Sequence, residues 1–313
     1  MRTSLTFSGP RRFSRIALVA IGLASLGMTE ARASFQDLLV TNINGANVTQ
    51  YDPVTGAFKG VFAVTTPATG GNSFPRGLAI GANTNVFVGD FGNQSIQQFN
   101  GTTGASLGAF VPTGSGGISQ PHGIAFRGGD CASSLAAQGN LFESCFSSNR
   151  ILQFDGATGA SLGDFVPSGL GGLTNPTGLA FAPTTAGVHA GNLFVASSGD
   201  SRILEFNGTT GAFVSAFAAG GLLNAPGGLK FAADGTLFVA NFGGNNILRF
   251  GTSASNGGNG TLLTPTGISG GGLNGASSLV FDSTGGILTT SLNTNQILRF
   301  RIDGSNEIGR AHV

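Results

Sequence analysis

Hydrophobic positions in this chain fall in short runs broken by Gly, Asn, Asp, Ser and Thr, without the three-to-four spacing of an amphipathic helix. The stretch from Pro176 to Ala225 shows the unit most clearly. GLAFAP, NLFVAS, RILEFN and AFVSAFA are four apolar-rich runs separated by turn residues, the pattern of a four-stranded β-meander. The unit recurs. Pro-x-Gly followed by an apolar run stands at Pro75, Pro121, Pro176 and Pro226, continued by the degenerate ASSLVF at Ala276, with spacings of 46 to 55 residues. The second run repeats as NVFVGDF, NLFESCF, NLFVASS, TLFVANF and GILTTSL, and the third as SIQQFN, RILQFD, RILEFN, NILRFG and QILRFR. The turn into the fourth run repeats from Asn100, Asp155 and Asn207, and an incomplete first copy (DLLVTNI, NVTQYDPVTGA, FKGVFA) lies upstream.

Four strands per unit at this period predict a β-propeller. A single four-stranded sheet cannot bury either face alone. Radial stacking covers both, which explains strands that are apolar almost throughout instead of strictly alternating. The expected fold is all-β: a six-bladed β-propeller of four-stranded antiparallel blades, with incomplete terminal blades. The approximate blade boundaries are 35–74, 75–120, 121–175, 176–225, 226–275 and 276–306. The first blade lacks a Pro-x-Gly strand and the last lacks a fourth strand in this reading, leaving open edges that invite pairing.

The Pro-x-Gly-apolar run followed by LFVAN and N-x-I-x-x-F resembles NHL-repeat propellers and their gluconolactonase-like and streptogramin-lyase-like relatives, over roughly Phe35 to Asp303. The resemblance implies the propeller and is unspecific for activity, because the fold hosts hydrolases, lyases and binding modules. The blades also look like those of secreted PEP-CTERM-type proteins, although the diagnostic tail of that group is absent.

Residues 1–33 read as a signal peptide. Arg2, Arg11, Arg12 and Arg15 precede the apolar IALVAIGLASLGM, and Ala31-Arg32-Ala33 forms a cleavage site. Ordinary secretion is expected, because Pro10, Phe13 and Ser14 fit a twin-arginine signal poorly. The location is then periplasmic or extracellular, with surface anchoring through a missing C-terminal tail as an open variant. No stretch after the leader approaches the ~18 apolar residues of a spanning helix. The last seven residues, EIGRAHV (307–313), look like the translation of a sequencing adapter and are set apart from the propeller at 34–306; a genuine C-terminal strand is the alternative.

Leader and heptapeptide together hold six of the 15 Lys+Arg and two of the 14 Asp+Glu, so the body of the chain is net acidic. That excludes the clustered basic surface of a nucleic-acid-binding protein. Only 9% of the residues are charged, against an average of about 25%. Cys131 and Cys145 both fall in the third blade, and an even count in a secreted chain favours a disulfide pinning the insertion that carries Cys131. Their spacing matches no zinc motif.

In blades of this kind the segment entering the first strand lies near the central channel. The residues after the repeat prolines are therefore channel-mouth candidates: Arg76, His122, Thr177, Gly227 and Ser277. His122 has acid–base competence near neutral pH, and Arg76 suits a carboxylate or phosphate. Asp90, Asn93, Asn149, Asp200, Asn245, Asn246 and Asn295 cluster in second-to-third-strand turns. They read as residues capping their own turns in preference to calcium ligands. Five Asn-x-Ser/Thr matches include Asn100 and Asn207, whose recurrence at one turn points to turn geometry in preference to glycosylation. His189, in the insertion TTAGVHAGN, is expected to be exposed.

The gluconolactonase-like relatives imply a Glu/Asn/Asp metal site and the streptogramin-lyase-like ones a His/Glu cluster and blade Trp. This chain has no Trp, and its body offers Glu143 and Glu205 alone, neither at a strand entrance. The expectation is a non-catalytic binding or structural scaffold, with no cofactor, recognising a protein, peptide or glycan. The alternative is a propeller lyase or lactonase using His122 and Arg76 with a carboxylate such as Asp90, and only this alternative calls for a divalent metal.

Overall fold

The computed structural model describes residues 37–65, 72–81, 84–128, 139–251, 268–269, 271–282, 285–302 and 307–312. Six antiparallel sheets follow one another along the chain, four with four strands and, among the described residues, two with three. Inner strands run Pro75–Ile80, Pro121–Phe126, Pro176–Phe181, Pro226–Phe231 and Ala276–Phe281. Second strands are Leu38–Asn42, Val86–Asp90, Leu141–Cys145, Leu193–Ser197, Leu237–Asn241 and Ile287–Ser291. Third strands are Asn47–Tyr51, Ser95–Phe99, Arg150–Phe154, Arg202–Phe206, Asn246–Phe250 and Gln296–Phe300. Outer strands are Phe58–Val64, Ser106–Val111, Ser161–Val166, Phe213–Ala219 and Glu307–His312. In the fifth sheet Ile247 also bridges Ile268.

The sixth blade differs from expectation. Glu307–His312, within the heptapeptide set apart above, pairs antiparallel with Gln296–Phe300 and makes this blade four-stranded. The third strand offers a free row of backbone donors and acceptors, and an extended segment that follows it satisfies them.

Burial grades outward as radial stacking requires. Five of the six second strands are buried at every position, whereas the outer strand Ser106–Val111 is exposed at its first four residues. Phenylalanine fills the space between blades. Phe194 meets Phe217 of its own outer strand at 4.9 Å and Phe231 of the next inner strand at 5.1 Å, both edge-to-face. Phe87 and Phe142 repeat the arrangement with Phe110/Phe126 and Phe165/Phe181. Phe238 meets Phe281 in the same way at 5.3 Å. One ring thus locks two blades with the favoured aromatic geometry. The ring closes mainly through aliphatics: Leu38 and Val40, with Tyr51, of the first blade pack with Val280, Leu288 and Ile297 of the sixth.

The Pro-x-Gly motif has a steric cause. Proline brings no N–H to the ladder, and the register breaks between Pro176 and Leu179, and likewise in the other blades with this motif. The x-Gly pair lies in that break, against the neighbouring blade. A Cβ on Gly77 would stand 2.7 Å from the His122 carbonyl oxygen, one on Gly178 2.5 Å from that of Gly227, and one on Gly123 would collide with that of Thr177. Only glycine permits this approach.

Turn residues do more than cap themselves. Asp52, Asn100, Asp155 and Asn207 do bond their own turns through Oδ1. Asn149, Ser201 and Asn245 instead adopt positive φ and accept from the next blade's entry segment: Asn149 Oδ1 from Asn175 N (2.7 Å), Ser201 Oγ from Ala225 N (3.1 Å) and Asn245 Oδ1 from Gly275 N (2.7 Å).

Candidate functional site

Each inner strand starts where its second strand ends, as in the pairs Pro75–Asp90 and Pro121–Cys145. The residues after the prolines therefore share one face with the turns that follow the second strands. On this face Arg76 and His122 come together: Arg76 Nη1 donates to His122 Nε2 at 3.1 Å. The guanidinium lies over the Phe91 ring at 4.4 Å from its centroid, and the imidazole stacks on Phe146 at 5.7 Å and 26°. Phe91 and Phe146 follow Asp90 and Cys145 directly and sit 6.2 Å apart.

An arginine can only donate, so His122 Nε2 accepts and the imidazole is neutral with its proton on Nδ1. Burial, and then the Arg76 charge, hold its pKa down at about 3. Arg76 is itself held below its ordinary pKa by burial, and its Nε is buried with no hydrogen-bond partner.

Behind His122 lies Glu143, which the sequence reading discounted. Its carboxylate accepts from the His122 backbone N–H, and the buried Cys145 Sγ donates to its Oε2 at 2.9 Å. Glu143 is wholly buried, its Oε1 has no partner, and burial raises its pKa to about 8. Burial and the adjoining carboxyl push the Cys145 thiol up as well. Strand alternation carried a signal for this position. Glu143 precedes by two residues the Cys145 that pairs with Pro121, so it shares a sheet face with the residue at the mouth end of its strand. Cys145 is a free thiol; Cys131, its expected disulfide partner, lies outside the described residues.

The other half of the mouth is small and sealed. Thr177 is buried and donates through Oγ1 to Pro226 O at 2.8 Å, while Ser144 Oγ donates to Thr177 O at 2.6 Å. Gly227 is buried against the Ser277 carbonyl, and Ser277 is half-buried. Asp90 does not join this group. It is fully buried and accepts from Ser73 Oγ, Phe74 N, Asn93 N and Gln97 Nε2 at 2.7 to 3.1 Å.

His189 overturns the expectation of exposure. It is 8% exposed, its Nδ1 is 2.9 Å from Glu205 Oε1, and its ring meets Phe194 and Phe217 edge-on. The insertion folds as a 3-10 turn, Thr184–His189, that carries the histidine onto the aromatic core of its blade. Asn192 and Ser215 also donate to Glu205, at 2.6 and 3.1 Å, so His189 joins a hydrogen-bonded cluster inside its blade.

Between the inner strands a cavity of about 550 Å³ runs toward the opposite face, lined by Leu78, Ile124, Leu179, Leu229 and Leu279 with Lys230 among them. No group of three or more His, Cys, Asp or Glu converges as metal ligands among the described residues. No helix among them is long and apolar enough to cross a membrane.

Six consecutive meanders around a central channel, with polar and aromatic groups at one mouth, define a six-bladed β-propeller. In sequence the chain matches no family model and no curated protein. Solved propellers match its fold. One from a nidogen/laminin complex superposes with a TM-score of 0.66 at 18% identity, over 88% of this chain and 93% of its own. A streptogramin B lyase gives 0.57 at 16% identity, over 88% and 79%. Virginiamycin B lyase from Staphylococcus aureus gives 0.58 at 14% identity, over 90% and 83%. At these identities the likeness establishes the fold alone.

Proposed function

We propose that this chain is a secreted, non-catalytic binding propeller that recognises a protein, peptide or glycan through the face carrying Arg76, His122, Phe91 and Phe146. The observation that carries the reading is the state of His122. Its Nε2 lone pair is occupied by Arg76 and its proton affinity is depressed far below neutral, which removes the acid–base group a lyase or lactonase would need. Asp90, the expected carboxylate helper, has its oxygens committed to four donors within its own blade. The nidogen/laminin assembly shows a protein complex formed by a protein of this fold. Residues 1–33 supply the export signal in this reading.

The test is a turnover assay of the purified chain on lactones and cyclic depsipeptides, in parallel with binding to peptide and glycan arrays. The expected result is binding with no turnover above the blank. Turnover that disappears in His122→Ala, with folding retained, would overturn the reading.

A further inference from the structure

Arg76 is a semi-buried cation with no anionic partner among the described residues. Its contacts are His122 Nε2, which is neutral, and the face of Phe91. Glu143, on the second strand of the blade that carries His122, is turned to Cys145 and the His122 backbone, and burial keeps it protonated at neutral pH. Asp90 is spent on four donors of its own blade. A guanidinium has five N–H donors, and here one bond is made, to His122, while Nε is left buried and unmet. An uncompensated charge in such surroundings is costly, and an oxyanion is the partner that would satisfy it.

The surroundings define the rest of the ligand. Phe91 under the guanidinium and Phe146 against the His122 ring are both half-buried. The corresponding turn positions in the first, fifth and sixth blades carry half-buried Ile43, Phe242 and Leu292, and that in the fourth carries half-buried Ser198. Across the mouth, Thr177, Gly227 and Ser277 are small and closed against their neighbours' carbonyls, so the aromatic and cationic groups gather on the Arg76 side.

We propose that the Arg76 side of the channel mouth is a carboxylate-binding site, taking a ligand whose carboxylate pairs with the guanidinium and whose apolar body lies against Phe91 and Phe146. This rests on the binding reading above and gives it a ligand class. Arginine suits a planar carboxylate better than lysine does, because its fork can bond both oxygens.

The experiment is calorimetric titration of the full chain with benzoate, acetate, benzamide and inorganic phosphate. Benzoate is expected to bind saturably, acetate more weakly for want of the ring, and benzamide, its neutral isostere, not at all. Arg76→Gln is expected to weaken benzoate by about tenfold or more, the worth of a charged hydrogen-bonded pair. Arg76→Lys covers the case in which the glutamine variant does not fold, and is expected to lose part of the affinity. A second readout needs no variant: benzoate added to the wild-type chain should shift the His122 ring resonances. No saturable benzoate binding, equal binding of benzamide, or undiminished affinity in both Arg76 variants would overturn the site. Phosphate binding more tightly than benzoate would replace the carboxylate assignment with a phosphate one and so contradict it. Failure here with ligands found on the arrays leaves the binding propeller standing. Turnover of a carboxylate probe would instead remove the non-catalytic reading and keep the site.

Discussion

Gly123 and His122, adjacent in sequence, show how closely chemistry and packing are joined at the mouth. Gly123 lets one blade approach the Thr177 carbonyl closer than any Cβ allows. Gly123→Ala is therefore expected to destabilise the chain by about 1–3 kcal/mol, the usual cost of forcing volume into a packed site, read from the urea midpoint. His122 and Glu143 make stability depend on pH in opposite senses. The folded chain refuses a proton at His122 until about pH 3, whereas an unfolded histidine takes one near 6.5, so stability is lost as the pH falls through that window. Folded Glu143 keeps its proton to about pH 8, whereas an unfolded glutamate loses it near 4.5. Its contribution is complete below 4.5 and is lost as the pH rises to about 8. Urea midpoints measured across pH should decline on the alkaline side up to about pH 8, and Glu143→Gln should remove that decline; an unchanged slope in the variant would contradict the assignment. Pro-x-Gly was legible in the sequence, and its prolines pair with the last residues of the second strands. Phe91, Phe146 and Glu143 were not singled out, because their relevance depends on which strand end faces which turn. His189 was misread because an insertion was equated with exposure, while its partners Glu205 and Phe217 lie on strands further along the chain.

At the level of the strand, repetition made the fold readable. Runs apolar at nearly every position require cover on both faces, and the second strands receive it from the blades on either side. The phenylalanine of each Leu-Phe pair in those strands was visible, but the double edge-to-face role of Phe142 and Phe194 was not, since it needs the packing distance between blades. Phe194→Ala should cost about 3–5 kcal/mol by equilibrium unfolding, more than an outer-strand substitution such as Leu107→Ala, whose side chain is exposed. Asn245→Ala, which leaves the Gly275 N–H without its partner, should cost about 1 kcal/mol in the same assay. The terminal strand was the element least legible. Glu307–His312 has no counterpart motif among the other outer strands, and its place is set by the free edge of Gln296–Phe300.

For the molecule as a whole, the seam between the first and sixth blades closes on Leu38, Val40, Val280 and Leu288 and, like the seam between the first and second, holds no phenylalanine pair among the described residues. Leu288→Asp should open the ring there while leaving the blades' β-structure in place. A larger radius by small-angle scattering with an unchanged far-ultraviolet spectrum is the expected result, and an unchanged radius would mean that the seam is held by something else. Propeller, repeat and blade count follow from the sequence pattern because every blade solves the same burial problem. Function is less legible, because the mouth breaks that repetition: Arg76 and His122 on one side, small residues on the other. The most direct measurement of that asymmetry is the titration of His122 by NMR, assigned against His189 with a His122→Gln variant. A ring that stays neutral from about pH 8 down to about pH 5 is the predicted result, with Nε2 accepting from Arg76 throughout. A titration midpoint near the ordinary 6.5 would show a free imidazole, contradict the Arg76–His122 pairing in solution, and return the catalytic reading to the channel mouth.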